Sequence, residues 1–387
     1  MNREQLRASL EEHFGSLEDP RVERTRAHLL MDIIAIALMG VLSGADGWVG
    51  IETYGKAKRQ WLETFLALPN GIPSHDTFAR VFARLDPDAF EASFQTWVAE
   101  IVSALGGQVI ALDGKCVRGS YDREGGQKAL QLVTAWASAH QLVLGQCAVD
   151  SKSNEITAIP MLLEQLDLSG TIVSIDAMGT QTAIAAQIQN QQADYILALK
   201  GNHPTLNQQA RAWFDSLDFE ESSAEAESGY THHQTTESGH HRIESRHLWQ
   251  VSSSRVFDDE QCRRWPGLRS LVVVRSERQL WNKDSSQVRF FLSSLDVDAR
   301  TFAGYVRQHW GIENQLHWCL DVVFREDASR IRSGHAPRNM SLLRRLALNL
   351  LRQEPSKASL TMKRYRAGLE DRFMLDILSA GLAPGTA

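Results

Sequence analysis

Two short apolar runs in the sequence each end on an aspartate. Residues 109–112 lead into Asp113, and residues 171–175 lead into Asp176. Runs that are rich in β-branched residues and free of charge are typical of strands buried on both faces, so we expect each aspartate at the C-terminal end of a strand. Two carboxylates on neighbouring strand ends could share a divalent metal ion, because such ions prefer hard oxygen ligands. An aspartate that merely closes a turn is the common alternative.

A third acid is needed to complete such a site, and one lies in a stretch with helical spacing. His309, Glu313 and His317 follow one another at intervals of four residues, which places them along one helix face. Glu313 could therefore join the two aspartates. The same stripe is also consistent with a zinc hydrolase, but that interpretation leaves the aspartates unused. Glu326 and Asp327 are rival candidates that we expect beyond the end of the helix.

The elements that would position these acids alternate between strands and helices. We predict strands over residues 108–115, 130–139 and 141–150, a helix over 159–166, a strand ending at Asp176, a helix over 182–189, a strand over 195–199 and a later helix over 305–322. Three strands followed by helix, strand, helix and strand is the element order of a ribonuclease-H-like fold. In that fold the first and fourth strands are neighbours, which would bring Asp113 and Asp176 together.

Length and composition limit the possible folds. The 387 residues are too many for one simple core and indicate two or three domains. The content of 43% hydrophobic and 23% charged residues is typical of a soluble globular protein. The longest apolar run, residues 29–42, is shorter than the roughly 20 residues of a membrane span, so we predict a buried helix there.

The N-terminus and the cysteines indicate a cytoplasmic protein. The first residues are polar and charged, without the apolar stretch of a signal peptide. The four cysteines lie far apart and contain no CxxC motif, which argues against a disulfide framework and against a zinc ribbon.

Charge is distributed unevenly along the chain. The net charge of −6 argues weakly against a nucleic-acid partner, because phosphate binding needs local positive potential. Residues 300–352, however, contain nine arginines and four acids. This segment could therefore bind phosphate although the whole chain is acidic.

Residues 1–104 are predicted to form an all-helical N-terminal domain. A turn at residues 69–71 is followed by Ser74, a plausible helix N-cap. The next helix carries Arg80 and Arg84 opposite an apolar face. It could be part of a helix-turn-helix that places both arginines on DNA. A helical bundle with a solvated basic face fits equally well, so both interpretations remain open.

Residues 207–300 have the character of a β-rich insertion. Several short runs with strand-like composition follow a polar stretch that is rich in Glu, Ser and His. The histidines are not spaced as in a known zinc motif. We expect nucleic-acid contacts here, from His240, Arg242 and Arg246.

Several motifs resemble those of DDE insertion-sequence transposases of the H-repeat-associated (ISAs) group. The main ones are DGK at 113–115, DAMGTQ at 176–181, LALKGN at 197–202, HWGIEN at 309–314 and FREDASRIR at 324–332. The resemblance covers nearly the whole chain, with SGADGW at 43–48, LPNGIPSHDTFARVF at 68–82, SGHHRIESR at 238–246 and RNMSLLRRLALNLLR at 338–352.

The resemblance implies a fold and a catalytic triad. The fold is α/β, with a ribonuclease-H-like core, a β-rich insertion and a preceding helical domain. The implied triad is Asp113, Asp176 and Glu313. The domain boundaries that we predict are 1–104 for the helical DNA-binding domain, 105–206 for the first part of the core, 207–300 for the insertion and 301–387 for the catalytic helix and the C-terminal helices.

The resemblance also implies metal-dependent strand cleavage and strand transfer of an insertion sequence. Three converging carboxylates would select Mg²⁺ or Mn²⁺, with two ions flanking the scissile phosphate. The expected partners are the terminal inverted repeats and the target DNA, bound by a homodimer. Residues close in sequence to the acids could bind phosphate, namely Lys115, Arg118, Lys200, Asn202, His309, Asn314 and Arg325. A hairpin intermediate could place a flipped base on an aromatic residue such as Trp249.

Two departures from the wider superfamily lie around Glu313. Where that superfamily has an arginine before the glutamate and a lysine after it, this chain has His309 and Leu320. Histidine is usual in this group, so His309 is expected at the scissile phosphate. The alternative function is a domesticated or inactive transposase-derived DNA-binding protein, which would lack terminal inverted repeats around its reading frame.

Overall fold

The computed structural model describes residues 3–101, 106–122, 126, 128–149, 154–217, 229–239, 242–280, 283–296 and 298–380. Its strands are β1 (Val109–Val117), β2 (Leu130–Ala137), β3 (Leu142–Ala148), β4 (Ile172–Ile175), β5 (Asp194–Leu199), β6 (Tyr230–Gly239), β7 (Arg242–Ser252), β8 (Ser270–Leu280) and β9 (Lys283–Ser293). They form one mixed sheet in the order β3-β2-β1-β4-β5-β9-β8-β7-β6.

The helices fall into three groups along the chain. Before β1 come α1 (Arg3–Phe14), α2 (Leu30–Leu42), α3 (Trp48–Ala57), α4 (Arg59–Leu62), α5 (His75–Arg84) and α6 (Pro87–Ile101). Among the strands lie α7 (Glu155–Glu164), α8 (Thr182–Asn190), α9 (Pro204–Asp215) and α10 (Asp259–Arg264). After β9 follow α11 (Ala299–His309), a π-helical turn (Ile312–His317), α12 (Trp318–Val322), α13 (Ala336–Gln353), α14 (Leu360–Leu369) and α15 (Asp371–Ala380).

The element order that we predicted for the middle of the chain is confirmed. The elements β1, β2, β3, α7, β4, α8 and β5 follow one another in that order. Strand β1 pairs antiparallel with β2 and parallel with β4. The first and fourth strands are therefore neighbours, as the interpretation of the two aspartates requires.

Asp113 lies inside β1 and not at its C-terminal end, so this part of the prediction is wrong. The reason is that the two partners of β1 differ in length. The parallel pairing with β4 ends at Leu112 and Ile175, whereas the antiparallel pairing with β2 continues to Val117. Asp113 and Asp176 are the first residues beyond the parallel ladder of β1 and β4. The ladder therefore brings the two aspartates close together.

Helix α7 begins at Glu155, four residues before the predicted start at Ile159. The side chain of Asn154 caps this earlier start by accepting a hydrogen bond from the Ile156 amide at 3.1 Å. Pro160 consequently lies inside the helix. Because proline is favoured in the first turn and disfavoured further inside, the sequence pattern indicated a later start.

The helical segment that carries Glu313 is longer than predicted and is not a regular α-helix throughout. It begins at Ala299, since the side chain of Asp298 accepts hydrogen bonds from two amides of the first turn. The π-helical turn then interrupts the α-helical spacing between α11 and α12. Such turns occur mostly as single insertions in α-helices and often at functional sites.

Strands β6 to β9 form the β-rich part that we expected between α9 and α11. They are antiparallel to one another. Strand β9 also pairs with β5, from Ile196 and Ser293 to Leu199 and Phe290. The β-rich segment therefore continues the sheet that contains β1 and β4.

Buried apolar side chains cover both faces of the sheet. On one face, Val109 and Ile196 belong to a cluster with Phe302 of α11. On the other face, Ile110 and Leu197 belong to a larger cluster that includes residues of α2, α7 and α13. Val109 is buried in one cluster and Ile110, Ala111 and Leu112 in the other, which confirms the prediction of a strand buried on both faces.

Helix α2 is the buried apolar helix that we predicted at residues 29–42, since nearly all of its side chains are shielded from solvent. Helix α5 also has the expected form. Ser74 accepts a hydrogen bond from the Thr77 amide at 3.3 Å, and Arg80 and Arg84 are exposed. Within the described part of the chain, no helix is long and apolar enough to cross a membrane.

Helix α13 is buried along most of its length and packs against α2, α5, α6 and β3. Arg344 and Arg345 on this helix are 2% and 0% exposed. The guanidinium of Arg345 lies 2.9 Å from the carboxylate of Glu326. The arginine excess of residues 300–352 is therefore partly an internal feature, which weakens the interpretation of this segment as a phosphate-binding surface.

Candidate active site

Asp113, Asp176 and Glu313 line one cavity of about 340 Å³. Asp113 comes from β1, Asp176 directly follows β4, and Glu313 belongs to the π-helical turn after α11. The sheet positions the two aspartates, and the helical segment that packs on the sheet supplies the glutamate. The fold thus brings to one cavity three acids that are widely separated in the sequence.

The carboxylate of Asp113 is largely buried, so its charge is poorly solvated. Its Oδ1 accepts a hydrogen bond from the Gly114 amide at 2.9 Å. The pKa of Asp113 is raised to about 7, first by burial and then by three nearby carboxylates, those of Glu313, Glu155 and Asp176. A cation among these carboxylates would relieve their mutual repulsion.

Asp176 has a cationic partner. Lys200 follows β5, and its Nζ lies 2.9 Å from Oδ1 and 3.1 Å from Oδ2 of Asp176. Burial alone would raise the pKa of Asp176, but the hydrogen bond and charge of Lys200 outweigh it, and the pKa is below its usual value. Lys200, which we expected at a phosphate, here neutralises one of the three acids.

Two histidines on the same helical segment as Glu313 also lie at the site. His309 Nδ1 is 2.8 Å from Ser174 Oγ, and His317 Nδ1 is 3.5 Å from Asp113 Oδ2. Burial lowers the pKa of each histidine to about 4, so both imidazoles are neutral at neutral pH. Each ring faces a partner on the sheet, and the two do not combine into a zinc site.

The donor set has the chemistry of a divalent-cation site. Carboxylate oxygens are the ligands that Mg²⁺ and Mn²⁺ prefer. The repulsion that raises the pKa of Asp113 shows that positive charge is lacking beside it. Across the described ranges, however, no three His, Cys, Asp or Glu side chains lie close enough to form a ready-made metal site. The residues fit the ion in type, and the carboxylates must draw closer to hold it.

One wall of the cavity is basic. Lys200, Arg211 and Arg289 all line it. Arg211 Nε donates to Asn207 Oδ1 at 3.0 Å, and the guanidinium of Arg289 lies 4.7 Å from the centre of the Trp310 ring. Cationic side chains next to an acidic cluster suit a phosphodiester, because they can bind its oxygens while the acids hold metal ions.

Lys115 does not have the position that we expected for a phosphate contact. Its Nζ lies 2.6 Å from Asp321, 3.3 Å from Asp327 and 3.8 Å from Glu326. The Lys115 side chain is only 6% exposed, so binding phosphate would require these ion pairs to break. Glu326 and Asp327 do not line the cavity, whereas Glu313 does.

The other predicted contacts close to the acids have mixed surroundings. Arg118 and Arg325 are well exposed, with side chains 82% and 68% accessible. Asn202 Nδ2 donates a hydrogen bond to the carbonyl oxygen of Ala177 at 2.7 Å, which stabilises the loop after Asp176. Both arginines remain candidates for DNA contacts, whereas the role of Asn202 visible here is structural.

A groove of about 480 Å³ lies beside the cavity, between the β6–β8 strands and α11. Arg246 and Asn314, both predicted to contact DNA, line this groove. Trp310 lines the groove and the cavity alike. Arg242 is exposed at the start of β7, and His240 lies outside the described residues.

Trp249 is not available to stack on a flipped base, so that expectation is wrong. Its side chain is 5% exposed and belongs to the larger apolar cluster. Its ring stacks against the imidazoles of His232 and His247. The alternation of side chains along β7 directs Trp249 into this cluster and the neighbouring Leu248 towards the groove.

Sequence reasoning missed three residues of the site. Glu155 is near enough to the aspartates that its pKa is raised, first by burial and then by the charge of Asp176. The predicted helix began after Glu155 and so excluded it, although an acid in the first helical turn was a usable signal. Arg289 reaches the cavity because β9 pairs with β5, which no local pattern indicates, and Arg211 lies on α9, a helix that was not among the predicted elements.

Comparison with known proteins gives consistent matches along the chain. Residues 11–98 match the DDE_Tnp_1-associated family, and residues 104–350 match the Transposase DDE domain. Putative transposase YncI of Escherichia coli O157:H7 is 38% identical over 377 residues, covering 96% of this chain and 95% of its own. H repeat-associated putative transposase YhhI of Escherichia coli strain K12 is 37% identical over 376 residues, with coverages of 96% and 97%.

A comparison with solved structures matches the piggyBac transposase synaptic complex with hairpin DNA. Its TM-score is 0.37 at 11% sequence identity, with coverage of 97% of this chain and 76% of that chain.

Proposed function

Since the chain belongs to the DDE transposases of the H-repeat-associated group, we propose that Asp113, Asp176 and Glu313 form its catalytic triad. The family uses divalent metal ions to cut and join DNA. In this chain the triad would serve strand cleavage at the ends of an insertion sequence, followed by attack of the exposed 3′-hydroxyl on target DNA.

The observation that carries this proposal is the cavity in which the three acids meet. They come from β1, from the end of β4 and from the π-helical turn, and Lys200, Arg211 and Arg289 line the same space. A phosphodiester can lie along the basic wall with its scissile phosphate at the acids. No other function is evident for three like charges, Glu155 included, around a poorly solvated Asp113.

Asp113, Asp176 and Glu313 would hold the metal ions, for which we propose Mg²⁺ or Mn²⁺ and two ions per site. When bound, the ions activate the attacking hydroxyl and stabilise the leaving oxygen. Release of Asp176 from its ion pair leaves the ammonium of Lys200 free to bind a phosphate oxygen. The neutral imidazole of His309 is hydrogen-bonded to Ser174 through Nδ1. Its Nε2–H can donate a hydrogen bond to the same phosphate.

The sheet order supports a ribonuclease-H-like core. Antiparallel β3, β2 and β1 followed by parallel β4 and β5 is the strand arrangement that we expected for it. We assign residues 105–206 and 301–387 to this core, residues 207–300 to an insertion and residues 1–104 to a helical DNA-binding domain. Described residues 3–101 contain helices and no strand, which supports the last boundary.

We assign the terminal inverted repeats and the target DNA as the substrates. The groove between α11 and strands β6 to β8 continues from the acidic cavity at Trp310, so it offers a path for DNA beyond the scissile phosphate. Arg246 and Asn314 would contact DNA there. A homodimer that holds two element ends together is the assembly that the family resemblance implies.

The test uses the purified full-length chain and DNA that flanks its reading frame. Asp113→Asn, Asp176→Asn and Glu313→Gln should each slow Mg²⁺-dependent nicking by about 100-fold or more, because each removes a charged metal ligand. DNA binding, measured by mobility shift without Mg²⁺, should stay within a few-fold of the unmodified protein.

The matched control is Asp296→Asn, since Asp296 forms an exposed ion pair with Arg269 at 3.0 Å and does not line the cavity. This variant should nick at the normal rate. Nicking by Asp113→Asn at the normal rate would refute the triad. DNA binding without nicking by the unmodified protein is the outcome that the inactive or domesticated alternative predicts.

A further inference from the structure

Glu155 provides a fourth carboxylate beside two members of the proposed triad. It is the first residue of α7 and faces Gly114, the residue after Asp113. A Cβ atom on Gly114 would lie 2.0 Å from Glu155 Oε1 and 2.5 Å from its Cδ. The carboxylate of Glu155 therefore occupies the space into which a side chain at position 114 would project.

A small cavity of about 10 Å³ lies at this contact. Its acidic lining residues are Asp113, Glu155 and Asp176, and its remaining lining is apolar or glycine. This volume is close to the least that one water-sized particle occupies. Three carboxylates around a space of that size suit a single cation in charge, and they must draw closer to coordinate it.

The two aspartates lie between two spaces, and each space has its own glutamate. Asp113 and Asp176 line both the small cavity and the cavity of about 340 Å³. Glu313 lines only the larger space, and Glu155 lines only the smaller one. The larger space also holds the basic wall, so it is the one that suits the phosphodiester.

We propose that Glu155 is a fourth acidic residue of the active site and that, together with Asp113 and Asp176, it binds a divalent cation. The proposal rests on the proposed function, because it requires the two aspartates to be metal-binding residues. Under this proposal one ion binds in the small cavity. The other ion binds in the larger cavity, beside Glu313 and the basic wall.

The proposal also explains the glycine of the DGK motif. Gly114 lies in the regular strand β1, where an alanine would meet no backbone strain. A Cβ at this position would meet only the carboxylate of Glu155, the end of a flexible side chain that would have to shift. Gly114→Ala should therefore displace Glu155 from the aspartates without changing any charge.

A purely structural role for Glu155 makes a different prediction. An acid in the first turn stabilises a helix through its interaction with the helix N-terminus, worth roughly 0.3–1 kcal/mol at an exposed site. In that case Glu155→Gln would lower thermal stability slightly and leave metal binding unchanged. Metal binding measured directly distinguishes the two roles.

The experiment measures Mn²⁺ binding to the full-length protein by electron paramagnetic resonance, together with the Mg²⁺ concentration that gives half-maximal nicking. Glu155→Gln and Gly114→Ala should each weaken one bound Mn²⁺ by about tenfold or more and raise the Mg²⁺ midpoint similarly. The matched control is Glu164→Gln, at the exposed C-terminal end of the same helix, which should behave like the unmodified protein.

Circular dichroism and thermal melts establish that each variant is folded, and Glu155→Asp provides a second variant that keeps the charge but shortens its reach. Normal Mn²⁺ binding and a normal Mg²⁺ midpoint in folded Glu155→Gln would overturn the proposal. Asp113→Asn separates this failure from failure of the proposed function. If Asp113→Asn loses metal binding and nicking while Glu155→Gln keeps both, the triad stands without Glu155.

Discussion

Buried carboxylates in this protein differ in whether a cationic partner lies beside them. Glu326 is fully buried, and although burial alone would raise its pKa, the charges of Arg345 and its neighbours lower the pKa to about 2. Asp113 is also largely shielded, and its pKa is raised to about 7, first by burial and then by the charges of neighbouring carboxylates. Its charge is therefore not compensated as that of Glu326 is, which is consistent with the metal-binding role proposed for Asp113.

Glu91 tests how burial of a carboxylate affects stability, away from the active site. It is completely buried in α6, and one of its oxygens accepts a hydrogen bond from the Gln146 amide at 2.8 Å. Burial, only partly offset by that hydrogen bond and by the charges of Arg338 and Arg345, raises the pKa of Glu91 from 4.5 to about 7. The folded protein therefore holds a proton that the unfolded chain releases between these pH values, and stability falls as pH rises through this window.

Glu91→Gln should remove this pH dependence, since the amide keeps an acceptor for Gln146 and carries no charge. At pH 8 the variant should have a larger free energy of unfolding than the unmodified protein, by on the order of 3 kcal/mol. Below about pH 4.5 the difference should disappear because Glu91 is then protonated in both states. Urea unfolding at both pH values measures this, and equal stabilities at pH 8 would contradict the account.

At the scale of elements, the distance between Asp113 and Glu313 depends on how β1 is held against the helical segment that carries Glu313. Lys115 of β1 provides this link through its ion pairs with Asp321 and Asp327. The alternation along β1 directs Lys115 and Asp113 to the same side of the strand, so the anchor and the first acid are two residues apart. The ion pairs thereby stabilise the position of the helix relative to the acid.

Lys115→Met should lower the stability of the protein without weakening DNA binding. The cost should be about 1–3 kcal/mol, between the values for surface and buried ion pairs, because Lys115 is buried while Asp321 and Asp327 are partly exposed to solvent. Mobility shifts at several salt concentrations should give an unchanged dependence on salt, whereas loss of a phosphate contact reduces the slope by about one. Thermal or urea unfolding measures the stability.

A stability control for this prediction is Lys56→Met. Lys56 pairs with Glu52 at 2.6 Å, but its side chain is 66% exposed. Its loss should cost less than about 1 kcal/mol, as for other surface ion pairs. A reduced salt slope for Lys115→Met, with stability unchanged, would restore the phosphate role that we first expected.

Element types and their order were predictable because strong local patterns specify them. The β-branched runs before Asp113 and Asp176 predicted β1 and β4, and the two strands are neighbours. The ends of elements were less predictable, since they depend on competing local effects. The side-chain cap of Asn154 starts α7 before the predicted start at Ile159, and the longer pairing with β2 carries β1 past Asp113.

At the scale of the whole molecule, the three acids were predictable and much of their surroundings was not. The acids follow recognisable motifs, whereas Arg289 reaches the cavity only because β9 adds to the edge of β5. Such long-range pairing depends on the complete fold. The same holds for the arginines of α13, whose burial against α2, α5 and α6 could not be inferred from local charge.

One sheet thus positions both the acidic cavity and the groove beside it. The end of the parallel ladder carries the acids, and the groove beneath α11 leads away from them past Trp310. Helix α13 connects the helices of residues 3–101 with β3, so the N-terminal helices and the sheet share one apolar core. This arrangement holds the N-terminal helices in a constant position relative to the acids.

The central claim is that Asp113, Asp176 and Glu313 together bind the divalent metal ions that cleave DNA. The most direct test is anomalous diffraction from a Mn²⁺-loaded complex of the full chain with a DNA end. The account predicts Mn²⁺ between these three side chains, with metal–oxygen distances of about 2.0–2.3 Å. Mn²⁺ bound elsewhere in the complex, with Glu313 turned away from both aspartates, would contradict it.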